Sequence, residues 1–287
     1  MANFDRSKLS PTEMEWHFNP RVTFPNHVEY MRTRAETNAR VLEKLERLPN
    51  FRYGPNPNET LDIYPSKGGL SPVLVYVHGG YWRAGYKEDW AFVAEPLIEC
   101  GATVVVLNYD LCPGVSLDEL VSEIRRANIW IYQNVKQYGG NPSKMYISGS
   151  SAGAHLCAMM LAQDWSKHKA PHDLVKGATL ITGIYDIHPV INISVNADIK
   201  LDKYSAQRNS PMFLPPLMTG PILAAVGGKE SEGWKQQTHD YVSMCRKNDI
   251  KCDFLELPDE DHFSLGSILG DLGSPLVQTT LRQMGLI

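Results

Sequence analysis

The chain has 287 residues, 43% of them hydrophobic and 21% charged, with a net charge of −4. That is the profile of a globular protein long enough to bury a core without staples. No long basic run is present, which excludes a nucleic-acid partner, and no stretch of 18 apolar residues occurs, which excludes a membrane-spanning helix.

The five cysteines, Cys100, Cys112, Cys157, Cys245 and Cys252, are odd in number and form no CxxC pair. They indicate neither a zinc site nor a disulfide framework, and read as reduced thiols. The first residues, MANFDRSKLSPTEMEW, contain no apolar core of a secretory signal. The expectation is a cytoplasmic protein.

In chain order, residues 1–50 are polar and punctuated by Pro11, Pro20 and Pro25, then run as EYMRTRAETNARVLEKLERL. That run has helix-forming composition, with Met31, Val41, Leu42 and Leu45 on an apolar face, and reads as a helical arm packed on the main body. From residue 51 strands and helices alternate. Thr60–Tyr64 alternates like a strand beside solvent. The apolar runs 72–78 and 103–108 read as strands buried on both faces. Helices are expected over 90–100, 116–138 and 152–163, with Ser116 and Glu119 opening the second as a capping box.

Further strands are expected at 144–148, 178–182, 221–226 and 252–257, and helices at 234–247 and 275–284. Residues 187–220 are irregular and read as a cap insertion. The whole predicts one α/β domain over 1–287, with a mostly parallel central sheet and helices on both faces.

Residues 145–155 read MYISGSSAGAH, and within them Gly149-Ser150-Ser151-Ala152-Gly153 is a G-x-S-x-G pentapeptide between a strand and a helix. Such a turn forces its serine into strained backbone, and larger side chains two residues before and after would collide with neighbours. Ser151 is therefore the candidate nucleophile, standing at a helix N-terminus that favours developing negative charge. Upstream, strand 72–77 runs into His78-Gly79-Gly80-Tyr81-Trp82. Its glycines free backbone amides to face a ligand, so Gly80 and Tyr81, with Ala152 after the nucleophile, are the candidate oxyanion donors.

The base and acid must follow in the order serine, acid, histidine. Of nine histidines only His239 and His262 lie late enough, and His239 falls within a helix. His262, in the loop after the last strand, is the candidate base. Glu230, in the loop after strand 221–226, is the candidate acid, with Glu232 as the alternative. Tyr81, Trp82 and Tyr185 are candidate stacking surfaces for an aromatic substrate.

These motifs together (HGGYW at 78–82, YDLCPGVSLDEL at 109–120, GSSAGAHL at 149–156 and GIYDI at 183–187) resemble the kynurenine formamidase, or arylformamidase, family. That family lies among the α/β-hydrolases, near the hormone-sensitive-lipase-like esterases. The resemblance spans about residues 60–270. It implies the α/β-hydrolase fold and hydrolysis of N-formyl-L-kynurenine to kynurenine and formate in tryptophan catabolism. It also implies Ser151 as nucleophile, His262 as base and residue 230 as acid. Two positions depart from the family: Glu230 where aspartate is usual, and Ser150 where many members carry histidine. A carboxylesterase or an amidase or carbamate hydrolase would use the same residues, and an inactive hydrolase-fold binding protein would have lost one of them. No cofactor or metal is required. The expected partner is a small-molecule substrate, with a homodimer left open.

Overall fold

The computed structural model describes residues 4–218 and 220–287. The strands are β1 Leu48–Arg52, β2 Thr60–Tyr64, β3 Ser71–Val77, β4 Thr103–Leu107, β5 Gly140–Ser150, β6 Val175–Ile181, β7 Ile222–Gly227 and β8 Cys252–Leu257. They form one eight-stranded sheet in the order β1-β2-β4-β3-β5-β6-β7-β8. β2 runs antiparallel to both of its neighbours, and every other pair is parallel.

The apolar runs are explained by what covers them. Along β3, Val73, Val75 and Val77 face one layer while Leu74 and Tyr76 face the other, as the two-residue period of a strand requires. Helices Leu117–Asn134, Ala152–Leu161 and Glu232–Lys247 lie over the first face. Helices Ala94–Glu99 and Pro275–Met284 lie over the second. Each fully buried valine or leucine in such a sandwich contributes about 1.5–3 kcal/mol. Among the described residues no helix is long and apolar enough to cross a membrane.

Three elements differ from expectation. β2 is an interior strand, because β1 pairs outside it. Pro49 sits in β1, where an edge position tolerates its missing amide hydrogen. The helix expected over 90–100 is a 3₁₀ turn, Lys87–Val93, kinked at Trp90 and followed by a short helix, Ala94–Glu99.

The N-terminal arm is more ordered than its prolines suggest. Helix Pro11–Phe18 is opened by a reciprocal capping box between Ser10 and Glu13, and helix Pro20–Thr23 by Asn19. Pro11 and Pro20 occupy first-turn positions, where no amide hydrogen is needed and the fixed φ suits a helix. A long helix, His27–Lys44, follows.

The chain leaves β3 toward β4 on one side and β5 toward β6 on the other. The crevice at the carboxyl ends of β3 and β5 is thus the topological switch point where open α/β sheets hold their ligands.

Candidate active site

β5 ends at Ser150, and Ser151 follows with φ 57° and ψ −120° before helix Ala152–Leu161 begins. A non-glycine residue in this region is strained, and such strain concentrates at functional sites. The turn is held by the Ser151 amide, which donates to the Ile181 carbonyl at 2.8 Å. A Cβ on Gly153 would stand 2.0 Å from the Val77 carbonyl oxygen, and one on Gly149 2.5 Å from the Gly153 carbonyl carbon. The glycines of the pentapeptide are there because β3, β5 and the following helix meet without room for a methyl group.

His262 Nε2 lies 3.0 Å from Ser151 Oγ, and its Nδ1 lies 2.8 Å from Glu230 Oε2. The Glu230 carboxylate is buried, and its Oε1 accepts from the Thr182 hydroxyl and, at 3.1 Å, from the Gly227 amide. Thr182 Oγ1 also lies 3.1 Å from His262 Nδ1. With carboxylate and hydroxyl both beside Nδ1, that nitrogen carries the ring proton, leaving the Nε2 lone pair toward the serine. The Trp234 ring packs on the imidazole with centroids 4.6 Å apart. Glu232 points away, opens helix Glu232–Lys247 and pairs with Lys235 at 2.5 Å. Asp261 shapes the histidine loop, its Oδ1 accepting from the amides of Phe263 and Ser264 at 2.8 and 2.9 Å.

The loop after β3 closes over the serine. A Cβ on Gly79 would meet the Ser150 carbonyl oxygen at 2.7 Å and Ser151 Cβ at 3.2 Å, so this loop lies directly on the elbow. Gly80, Tyr81 and Trp82 all have positive φ, of 124°, 53° and 56°. Among the described residues no backbone carbonyl accepts from the amides of Gly80, Tyr81 or Ala152. His78 is a support: it stacks on Tyr109 at 4.2 Å, and its Nδ1 lies 2.8 Å from the Gly79 carbonyl. Burial pushes its pKa down to about 4.

A cavity of about 270 Å³ opens over Ser151 and His262. Tyr81 is on its wall, with its hydroxyl donating to the Phe18 carbonyl. Trp82 and Tyr185 do not reach it, which corrects their assignment as stacking surfaces. Trp82 is buried, and its indole donates to His155 Nδ1 at 3.1 Å. Tyr185 is buried against Tyr241, the rings stacked 4.1 Å apart. Both serve as core packing. Besides Tyr81, the aromatic residues that line the cavity are Tyr86, Trp90 and Phe263.

The cover also differs from expectation. The described residues of 187–220 include four short helical segments, and Val195 is their contribution to the cavity wall. The arm supplies Asn19, Pro20, Arg21, Met31, Arg34 and Ala35. Met31, expected on the packed face of its helix, is about half exposed and lies at the cavity. Residues 187–220 instead anchor the arm, with the Ser194 amide and hydroxyl donating to Glu15 at 2.7 and 2.6 Å.

Sequence reasoning missed Thr182 and the arm. A threonine at the end of a strand carries no local signal of its partners. The arm reaches the site only through contacts far apart in the chain.

The BD-FAE family model matches residues 61–212. A kynurenine formamidase from Salmo salar is 33% identical, the alignment covering 97% of this chain and 95% of that protein. A kynurenine formamidase from Danio rerio is 32% identical over 98% and 99% of the two chains. Among solved structures, a candidate thioesterase from Silicibacter sp. TM1040 superposes with a TM-score of 0.81 at 25% identity, covering 93% of this chain and 98% of that one. With relatives matched over nearly their whole length, and with the sheet order and elbow described above, this chain belongs to the kynurenine formamidase family of α/β-hydrolases.

Proposed function

We propose that this hydrolase cleaves aryl formamides of the N-formyl-L-kynurenine type, releasing the arylamine and formate through a formyl-enzyme on Ser151. The observation that carries the reading is the chain of contacts from Ser151 Oγ to His262 Nε2 at 3.0 Å and from His262 Nδ1 to Glu230 at 2.8 Å, beneath an aromatic-lined cavity. The names of the two fish relatives supply the substrate class.

His262 takes the Ser151 proton as Oγ attacks the formyl carbon. The carbonyl oxygen becomes an oxyanion facing the amides of Gly80, Tyr81 and Ala152. The intermediate collapses, the carbon–nitrogen bond breaks, and His262 passes its proton to the departing arylamine. Water, deprotonated by His262, then attacks the formyl ester, formate leaves, and the proton returns to Ser151. Glu230 holds the imidazole in its working tautomer and stabilises the imidazolium. The free state of all five cysteines favours a reducing compartment, the cytoplasm.

Steady-state kinetics on N-formylkynurenine beside p-nitrophenyl acetate test the reading. The expected result is a higher kcat/KM on the formamide. Turnover of the ester with none of the formamide would overturn it in favour of a short-chain carboxylesterase. The isoprenylcysteine methylesterases that resemble part of this chain keep that alternative in view.

A further inference from the structure

Helix His27–Lys44 carries Arg34 to the cavity wall. Its guanidinium lies over the Trp90 ring, 4.2 Å from the centroid, and its Nη2 donates to the Phe263 carbonyl at 3.3 Å. These two contacts hold the head group in one place. They do not neutralise it: among the described residues Arg34 forms no ion pair, and its buried Nε has no partner. Burial works against the charge and lowers its pKa. A half-buried cation without a direct ion pair is costly and is relieved when an anion arrives from outside.

None of the neighbouring charges pairs directly with it. Arg83, on the same cavity, is already paired with Asp198, and Arg21 is exposed at its rim. Asp89 is the carboxylate on this wall, and its Oδ2 is occupied by the Tyr86 amide at 3.1 Å. Burial and the nearby Glu88 charge raise its pKa, while the Tyr86 amide and the Arg34 charge lower it, so Asp89 and Arg34 act on each other through space without forming an ion pair. The cavity therefore carries excess positive charge in a chain whose net charge is −4.

The guanidinium also stands close to the chemistry. A Cβ on Gly266 would lie 3.4 Å from Arg34 Nη2 and 3.7 Å from the Ser150 hydroxyl. Arginine and the neighbour of the nucleophile thus flank one small gap that glycine leaves open. Arg34, Phe263 and Ser151 line one cavity, so a ligand held there meets the nucleophile and the guanidinium together.

We propose that Arg34 is the receptor for a carboxylate carried by the substrate, so that the N-terminal arm selects anionic aryl amides over neutral ones. The identity of the amide rests on the aryl-formamide reading, while the anion subsite rests on the unpaired guanidinium. A planar guanidinium offers a carboxylate two parallel hydrogen bonds, which fixes orientation as well as charge.

The test uses inhibition of p-nitrophenyl acetate hydrolysis by 3-benzoylpropionate and by its uncharged amide. In the wild-type enzyme the acid is expected to inhibit about 10–100-fold more tightly than the amide, the range of a hydrogen bond to a charged group. Arg34→Gln is expected to abolish that preference. Should it fail to fold, Arg34→Met, which keeps an unbranched stem over Trp90, gives the same reading. Equal inhibition by acid and amide in the wild type, or a preference that survives either substitution, overturns the proposal. N-formylkynurenine and unsubstituted formanilide are assayed in parallel. If neither is cleaved while the ester is, the aryl-formamide reading fails, and the inhibitor pair still decides the subsite.

Discussion

Thr182 donates its hydroxyl to the carboxylate of Glu230 from a left-handed backbone, with φ 44°. A β-branched residue is a genuine outlier in that region, and a conformation of this kind costs about 1–3 kcal/mol. The position just past β6 enforces it, where the Thr182 amide still donates to the Ala225 carbonyl at 2.7 Å. The strain places one hydroxyl against both Glu230 and His262, so each carboxylate oxygen is committed before a substrate arrives.

Replacing Thr182 by valine keeps the shape and removes the hydroxyl. The buried carboxylate then loses a donor, a deficit of about 1–3 kcal/mol, or roughly 10–100-fold in kcat where it is felt in the transition state. Thr182→Ser should restore most of the rate. Steady-state kinetics on both variants, beside thermal melts, separate positioning from stability. A valine variant as fast as wild type would remove Thr182 from the mechanism.

Glu230→Asp conserves charge but draws the carboxylate back by about 1.5 Å, one bond length along the chain. From there it cannot keep both Thr182 and His262, and kcat should fall about 10–100-fold. The family's usual aspartate would thus be the wrong acid in this loop, whose Gly227 amide is set for the longer side chain. Unchanged kcat would mean that the loop relaxes to follow the shorter residue.

Gly153→Ala meets the Val77 carbonyl oxygen at 2.0 Å, a backbone atom that cannot swing away. The strand or the helix must shift, costing several kcal/mol and displacing Ser151. Loss of fluorophosphonate labelling together with a lowered melting temperature is the expected result. A variant that labels at the wild-type rate would show that the elbow has room to spare.

What could be read from the sequence divides by range. The pentapeptide and the HGG loop were legible because their constraints are local: tight turns between named elements demand glycine within a few residues. His262 and Glu230 were legible through chain order in a resembling family, although their contact joins loops 32 residues apart. Trp82 and Tyr185 carry no such local constraint: an aromatic side chain signals burial or binding equally well, and only the facing layer decides. The arm reads as packing, since nothing in residues 1–50 reveals that Met31 and Arg34 line the cavity beside Ser150 and Ser151.

His78 and His155 are buried and held neutral, with pKa values pushed down to about 4 by desolvation. Unfolded, each titrates at about 6.5. Between these values the unfolded chain takes up protons that the folded one refuses, so stability is full above about pH 6.5 and falls as pH drops toward 4. The loss is about 2 kcal/mol per histidine between pH 7 and 5. His155→Gln, which keeps an acceptor for the Trp82 indole, should remove about half of this combined slope. Urea midpoints at the two pH values measure it, and an unchanged slope would contradict the buried-neutral assignment.

The arm is fastened by Glu15 to Ser194, by the His17 carbonyl to the Ser231 hydroxyl and by Tyr30 to Asp261. These anchors lie 179, 214 and 231 residues downstream of the groups they hold. Domains generally fold as units during synthesis, N-terminal parts emerging first. Helix His27–Lys44 finds its partners early, Asn38 accepting from the Phe92 amide and Arg34 lying over Trp90, whereas Glu15 waits for Ser194. A nascent chain stalled before residue 194 would hold Arg34 over Trp90 but leave Glu15, His17 and Tyr30 without these partners, so the arm would be seated at one end alone.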